Sequence, residues 1–151
     1  MTVPTSHRLL QTHKEDKMKT IYIVRELTGD GEEVTIVPVP CRGTVHAVRV
    51  VSDREMVATG TIKVGRGDVA TAAYVVNTVT APTGNTAAGT ILDGVPDATY
   101  GGLVFDPDSS TAANKSMWIE DDATLLAGAA TVTIMITFDD SAYVQQAASD
   151  A

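Results

Sequence analysis

A chain of 151 residues, 44% hydrophobic and 20% charged, is long enough to bury one sizeable core, too short for two comfortable ones, and too apolar to be disordered throughout. Its formal net charge of -8 argues against nucleic acid as a partner, because duplex binding needs clustered Lys and Arg to neutralise phosphates. Aromatic residues make up only 5% while Val, Ile, Thr, Ala and Gly are abundant, the profile of a compact all-β protein.

Residues 1–19, MTVPTSHRLLQTHKEDKMK, are polar and charged with few apolar positions, and read as an N-terminal arm. A short helix over residues 6–17 with Ser6 as N-cap would be marginal by itself. Residues 20–27, TIYIVREL, alternate apolar and polar positions, and Asp30-Gly31 supplies a turn signal before Glu33-Val34-Thr35-Ile36-Val37, so this segment reads as a β-hairpin. Pro38 and Pro40 then end the second strand or confine it to a sheet edge, since proline cannot donate to a ladder. Residues 44–51 and 60–65 give two further strands joined by a polar connection, with Gly43 as the hinge into the first. Residues 72–80 predict a strand in which the alanines leave room for a helical turn. The region 81–102 is punctuated by Pro82, Gly84, Gly89, Gly94, Pro96 and Gly101, with short strands expected at residues 90–92 and 103–105. A strand over residues 115–120, KSMWIE, runs into an acidic corner, Glu120-Asp121-Asp122. The run 130–138, ATVTIMITF, puts Val132, Ile134, Ile136 and Phe138 on one face and predicts a core strand with one wetter face. Residues 141–151 read as a loose C-terminal tail. Seven to nine short strands without a long helix predict an all-β fold, an antiparallel β-sandwich of Greek-key or jelly-roll type over residues 20–140.

Charge is uneven along the chain. Residues 1–28 hold Arg8, Lys14, Lys17, Lys19 and Arg25 against three acids, residues 29–67 balance, and residues 68–151 hold Lys115 alone against eleven acids. This reads as a mildly basic front and an acidic back. The one cysteine, Cys41, allows neither an intramolecular disulfide nor a Cys-rich metal site. No apolar run reaches the roughly eighteen residues of a membrane-spanning helix, and the start does not have the pattern of a secretory leader, so a soluble product of the cytoplasm is expected, whatever its final destination, with no membrane partner.

Chemistry-bearing residues are sparse. His7 and His13 stand six apart without an acid at ligand spacing, and His46 sits on a strand, where a surface role is the simpler reading. Cys41 beside Arg42 has a cation that would favour a thiolate, but prolines and valines around it suggest a small packing residue. Gly65-Arg66-Gly67-Asp68 is short of the phosphate-loop spacing and suits a turn, and its Arg-Gly-Asp triplet has the form of an integrin motif. Asp106 and Asp108, or the Glu120 to Asp122 run, offer oxygen ligands for calcium without completing an EF-hand pattern. The sequence therefore predicts no catalytic residue, no resident metal and no cofactor.

The order of segments resembles the head decoration, or cement, proteins of tailed bacteriophages. The residues that carry the resemblance are the G-T-V-x-x-V-R-V-V strand at 43–51, the G-T-I-x-V strand at 60–64, the Thr/Ala/Gly-rich middle at 81–113 and the closing A-T-V-T-I-x-I strand at 130–136. The resemblance implies a non-enzymatic structural protein of the virion: a β-sandwich on the outer capsid surface, commonly a homotrimer, that clamps neighbouring major capsid subunits. On that reading the arm is the clamp, with Val3, Pro4, Arg8, Leu9, Leu10, Lys14, Lys17 and Lys19 contacting the capsid. Ordering the arm costs backbone entropy that Val3, Leu9 and Leu10 offset only in part, so one arm would bind weakly and three on a trimer would bind as a unit. The alternative is a β-sandwich module that binds carbohydrate or a cell surface, aided by calcium, with Trp118, Tyr22, Tyr74, Tyr100 and Tyr143 as the aromatics available for stacking.

Overall fold

The computed structural model describes residues 20–29, 33–121 and 130–140. Two antiparallel sheets pack face to face as a β-sandwich. One has the strand order β1 (Thr20–Gly29), β9 (Ala130–Asp140), β3 (Gly43–Ser52), β6 (Ile91–Asp93). The other runs β2 (Glu33–Pro38), β8 (Ser116–Asp121), β4 (Thr61–Arg66), β5 (Val75–Thr80), β7 (Val95–Pro96). With the two-residue β7 set aside, β9 lies between β1 and β3 in one sheet and β8 between β2 and β4 in the other. Those nested Greek keys are the jelly-roll arrangement.

The alternation in β9 does what its sequence predicts. Val132, Ile134, Ile136 and Phe138 are all 0% exposed, while the threonines and Met135 between them are half-buried. Facing them from the second sheet are Ile62, Val64, Met117 and Ile119, also fully buried. Phe105, on the connection between β7 and β8, closes one end of this core edge-on to Phe138, with ring centroids 5.8 Å apart. It is fixed there by two backbone hydrogen bonds with Gly43, of 2.8 and 3.0 Å. Gly43 must lack a side chain, because a Cβ would fall 1.9 Å from the Asp139 carbonyl oxygen across the ladder.

The expected hairpin over residues 20–37 does not form. β1 pairs with β9 over ten residues and β2 pairs with β8, so the two segments belong to different sheets. A period of two fixes which face of a strand is buried but not which strand lies beside it, and the apolar ladder offered by β9 outcompetes the local turn signal. β2 ends at Pro38 on the edge of its sheet, as proline requires. Residues 72–80 divide into a 3-10 turn (Ala72–Tyr74) and β5, and residues 103–105 contribute only an isolated bridge from Phe105 to Gly43 rather than a strand. β7 was not legible in the sequence. Gly94 alone carries the chain from β6 in one sheet to β7 in the other. The acidic corner is not simply solvated: Asp121 is 1% exposed and points inward opposite Ile62.

β9 is threaded between β1 and β3, where Asp139 meets His46, and Asp93 of β6 meets Arg49 of β3. The arm, with Val3, Pro4, Arg8, Leu9, Leu10, Lys14, Lys17, Lys19 and the helix considered at 6–17, lies outside the described residues, as do the Asp30-Gly31 turn, Asp122 and the tail 141–151.

Truncating Ile136 to Ala should cost about 2–5 kcal/mol, as for other fully buried branched side chains. Thr80→Ala, at the exposed end of β5, should stay within roughly 0.5 kcal/mol. Urea unfolding followed through the single tryptophan measures both, and equal losses would contradict the inward placement of Ile136.

Candidate functional site

At one end of the sandwich the end of β4 and the 3-10 turn that follows it before β5 meet the connection after β7, which is distant in sequence. The Arg66 guanidinium carbon lies 5.3 Å from the centroid of the Tyr74 ring, within range of a cation–π contact. Tyr74 in turn meets Tyr100 edge-on, with centroids 6.3 Å apart and planes at 70°. Arg66 also donates a long hydrogen bond from Nη1 to the Val104 carbonyl, at 3.4 Å. Tyr100 is positioned by Asp97, whose carboxylate accepts from the backbone N–H groups of Thr99 and Tyr100 at 2.8 and 2.7 Å and so turns the chain.

Trp118 lies beside this cluster. Met117 and Ile119 face the core, so alternation puts Trp118 on the outward side of β8, yet it is 0% exposed. It can be buried there because its partner across the ladder is Gly65: a Cβ at that position would fall 1.9 Å from the indole ring. The ring therefore lies on bare backbone, and its Nε1–H donates to the Arg66 carbonyl at 3.2 Å. Gly67, at φ +131°, then turns the chain where its N–H bonds to the Ser116 carbonyl.

This arrangement acts as a clasp. The guanidinium is occupied by a ring face and a backbone carbonyl, which tie together the connections at 67–74 and 97–104. Tyr74, 40% exposed, leaves ring surface open at the end of the sandwich. Tyr74 and Tyr100, named separately in the sequence as stacking aromatics, are brought together; Trp118 is removed from that role by burial, and Tyr22 stands apart on β1. Nothing in the sequence joins Arg66, Tyr74 and Tyr100. The glycine inside β4 was the available signal for the Trp118 seat, because glycine within a strand marks a bulge or a close approach, and the β4–β5 register shifts at Val64/Gly65.

The other candidates fall in separate places. His46 sits on a bulge of β3 and faces outward, its Nδ1 3.3 Å from Asp139 Oδ2, as a strand-surface residue. Cys41 is half-buried against the core. The Arg66-Gly67-Asp68 triplet is not an open display loop, since Arg66 is held under Tyr74 and Gly67 is buried. Asp106 accepts from the Asp108 N–H at 3.0 Å, so its carboxylate shapes a turn. Among the described residues, no three His, Cys, Asp or Glu side chains gather where they could hold a metal ion. No protein-family model matches the chain, and no curated protein matches it.

Gly65→Ala forces the indole off its seat, an overpacking change that should cost roughly 1–3 kcal/mol. The fluorescence of native Trp118 should shift to the red as the ring gains contact with water. An unchanged emission spectrum and unchanged stability would contradict the seat described here.

Proposed function

We propose that this chain is a structural protein of a tailed-phage virion that decorates the outer surface of an icosahedral capsid and stabilises it by clamping neighbouring major capsid subunits. The observation that carries the reading is where the resembling segments fall. Residues 43–51, 60–64 and 130–136 lie on β3, β4 and β9, strands at the interior of the two sheets of a jelly roll. A second feature supports it: residues 1–19 lead directly into β1, which is an edge strand, so the arm leaves from a margin of the body rather than from its middle. In this reading the body is a rigid knob, and Val3, Pro4, Arg8, Leu9, Leu10, Lys14, Lys17 and Lys19 make the capsid contact. A homotrimer presents three arms at once, which turns weak single contacts into firm attachment.

A carbohydrate-binding module is the second reading, and the Tyr74–Tyr100 pair favours it, since open tyrosine rings stack on sugar faces. One face of Tyr74 is already taken by Arg66, which leaves less ring for a ligand. The calcium-aided form of this reading has no ligand set among the described residues. Binding on a glycan array that is lost in Tyr74→Ala would support this module, and a silent array would count against it.

The decisive experiment for the cement reading is deletion of residues 1–19. The truncated protein should keep its sandwich, judged by circular dichroism, and lose co-sedimentation with empty capsids. Undiminished capsid binding by the truncated protein would overturn the assignment of the arm.

A further inference from the structure

The two ends of the sandwich differ in what they expose. β1 starts at Thr20 opposite Asp139, whose other neighbour is Thr44, and Gly43 beside Thr44 bridges to Phe105. The carbonyl of the preceding Val104 accepts from Arg66. The strand that the arm leads into therefore begins at the clasp end, three strand spacings or roughly 15 Å from the clasp itself. Around Arg66 at that end, Val69, Tyr74 and Val104 are 64%, 40% and 38% exposed. At the opposite end Met56 pairs with Thr86 and closes the core, and the connections at 53–60 and 81–90 expose no large hydrophobic side chain.

Charge and reach select an occupant for the clasp end. Residues 39–42, 66–74, 97–115 and 139–140, which surround the clasp and the start of β1, hold six aspartates against Arg42, Arg66 and Lys115. Of these aspartates, Asp68, Asp97 and Asp108 are exposed. Residues 1–19 carry the opposite balance, with Arg8, Lys14, Lys17 and Lys19 against Glu15 and Asp16, and they contain the apolar pair Leu9-Leu10. The ten residues from Leu10 to Thr20 span at most about 35 Å when extended, enough to bring that pair back to Tyr74 with little slack. The outward face shared by Tyr22 and Val24 is also near the start of β1, but its Arg49 and Asp93 neutralise each other, so it offers a basic segment less attraction.

We propose that in the free protein the arm, residues 1–19, folds back onto the clasp end of its own body, with Leu9 and Leu10 against Val69 and Tyr74 and its basic residues towards Asp68, Asp97 and Asp108. The docking itself does not rest on the cement reading; if that reading holds, the arm must leave this seat before it can reach a capsid. Trypsin cuts after Arg8, Lys14, Lys17 and Lys19, so the initial rate of arm cleavage in the full-length protein at low salt reads the undocked fraction. Val69→Lys, which replaces an exposed apolar side chain by a like charge, should speed that cleavage roughly tenfold. Asp68→Asn, which removes one attractive charge, should speed it by a smaller factor. Val95→Lys, at a 70% exposed position of β7, should leave the rate at the wild-type value. Added salt should bring the wild type towards the Val69→Lys rate as the charge attraction is screened. All three substituted positions are exposed, and Trp118 emission checks that each variant is folded. An arm cut equally fast in wild type, Val69→Lys and Asp68→Asn, or one released as much by Val95→Lys, would overturn the proposal. No capsid is present, so that failure leaves capsid binding by the arm standing, and failure of the arm deletion to abolish capsid binding leaves the cleavage result standing.

Discussion

The fold depends on the insertion of β9 between β1 and β3. Its inward residues Val132, Ile134, Ile136 and Phe138 are the floor on which the second sheet packs, and its two edges provide ladders to both neighbours. Among the described strands β1 pairs with β9 alone, so the segment that leads out of the arm is joined to its sheet through β9, with Ile23 and Leu27 buried in the shared core. Ile23 faces Ile136 across that ladder, a contact that closes nearly the whole sequence into one loop. Such distant pairing carries a large loop-closure cost, recovered only when the inner face of β9 is covered, which favours slow, all-or-none folding. β8 repeats the device in the other sheet, entering between β2 and β4.

What a single sequence could reveal follows from this construction. The inward face of β9 was legible because period-2 alternation depends only on the strand itself, and the end of β2 was legible because Pro38 lacks a donor. Partner choice was not legible. Residues 20–37 carry alternation and an Asp-Gly turn that suit a hairpin as well as a sandwich corner, and only the competing ladder of β9 separates the two. The clasp of Arg66, Tyr74 and Tyr100 was invisible for a similar reason: Tyr100 belongs to a different connection from the one that Arg66 and Tyr74 bound, and none has a partner at motif spacing. Gly65 was a readable hint whose meaning needed Trp118 opposite it.

These features divide the molecule into working parts. The end with the clasp is consolidated by Arg66 and by the buried indole, which suits a body that must hold its shape while its margins make contacts. The outward face of the β1–β9–β3–β6 sheet carries exposed apolar side chains beside the Arg49–Asp93 ion pair, and its first strand is also the strand the arm leads into. A load applied to the arm would therefore pass through β1 into β9 and from there into both sheets. In the proposed cement role, that path is what would let a small sandwich resist separation of the subunits it holds.

The central claim is that β9 cannot be released without unfolding the whole domain. Native-state hydrogen exchange at increasing denaturant tests it most directly. The account predicts that the amides of β9 exchange only through global unfolding, together with those of β3 and β8. Exchange of β9 through a lower-energy opening, with β3 and β8 still protected, would contradict it.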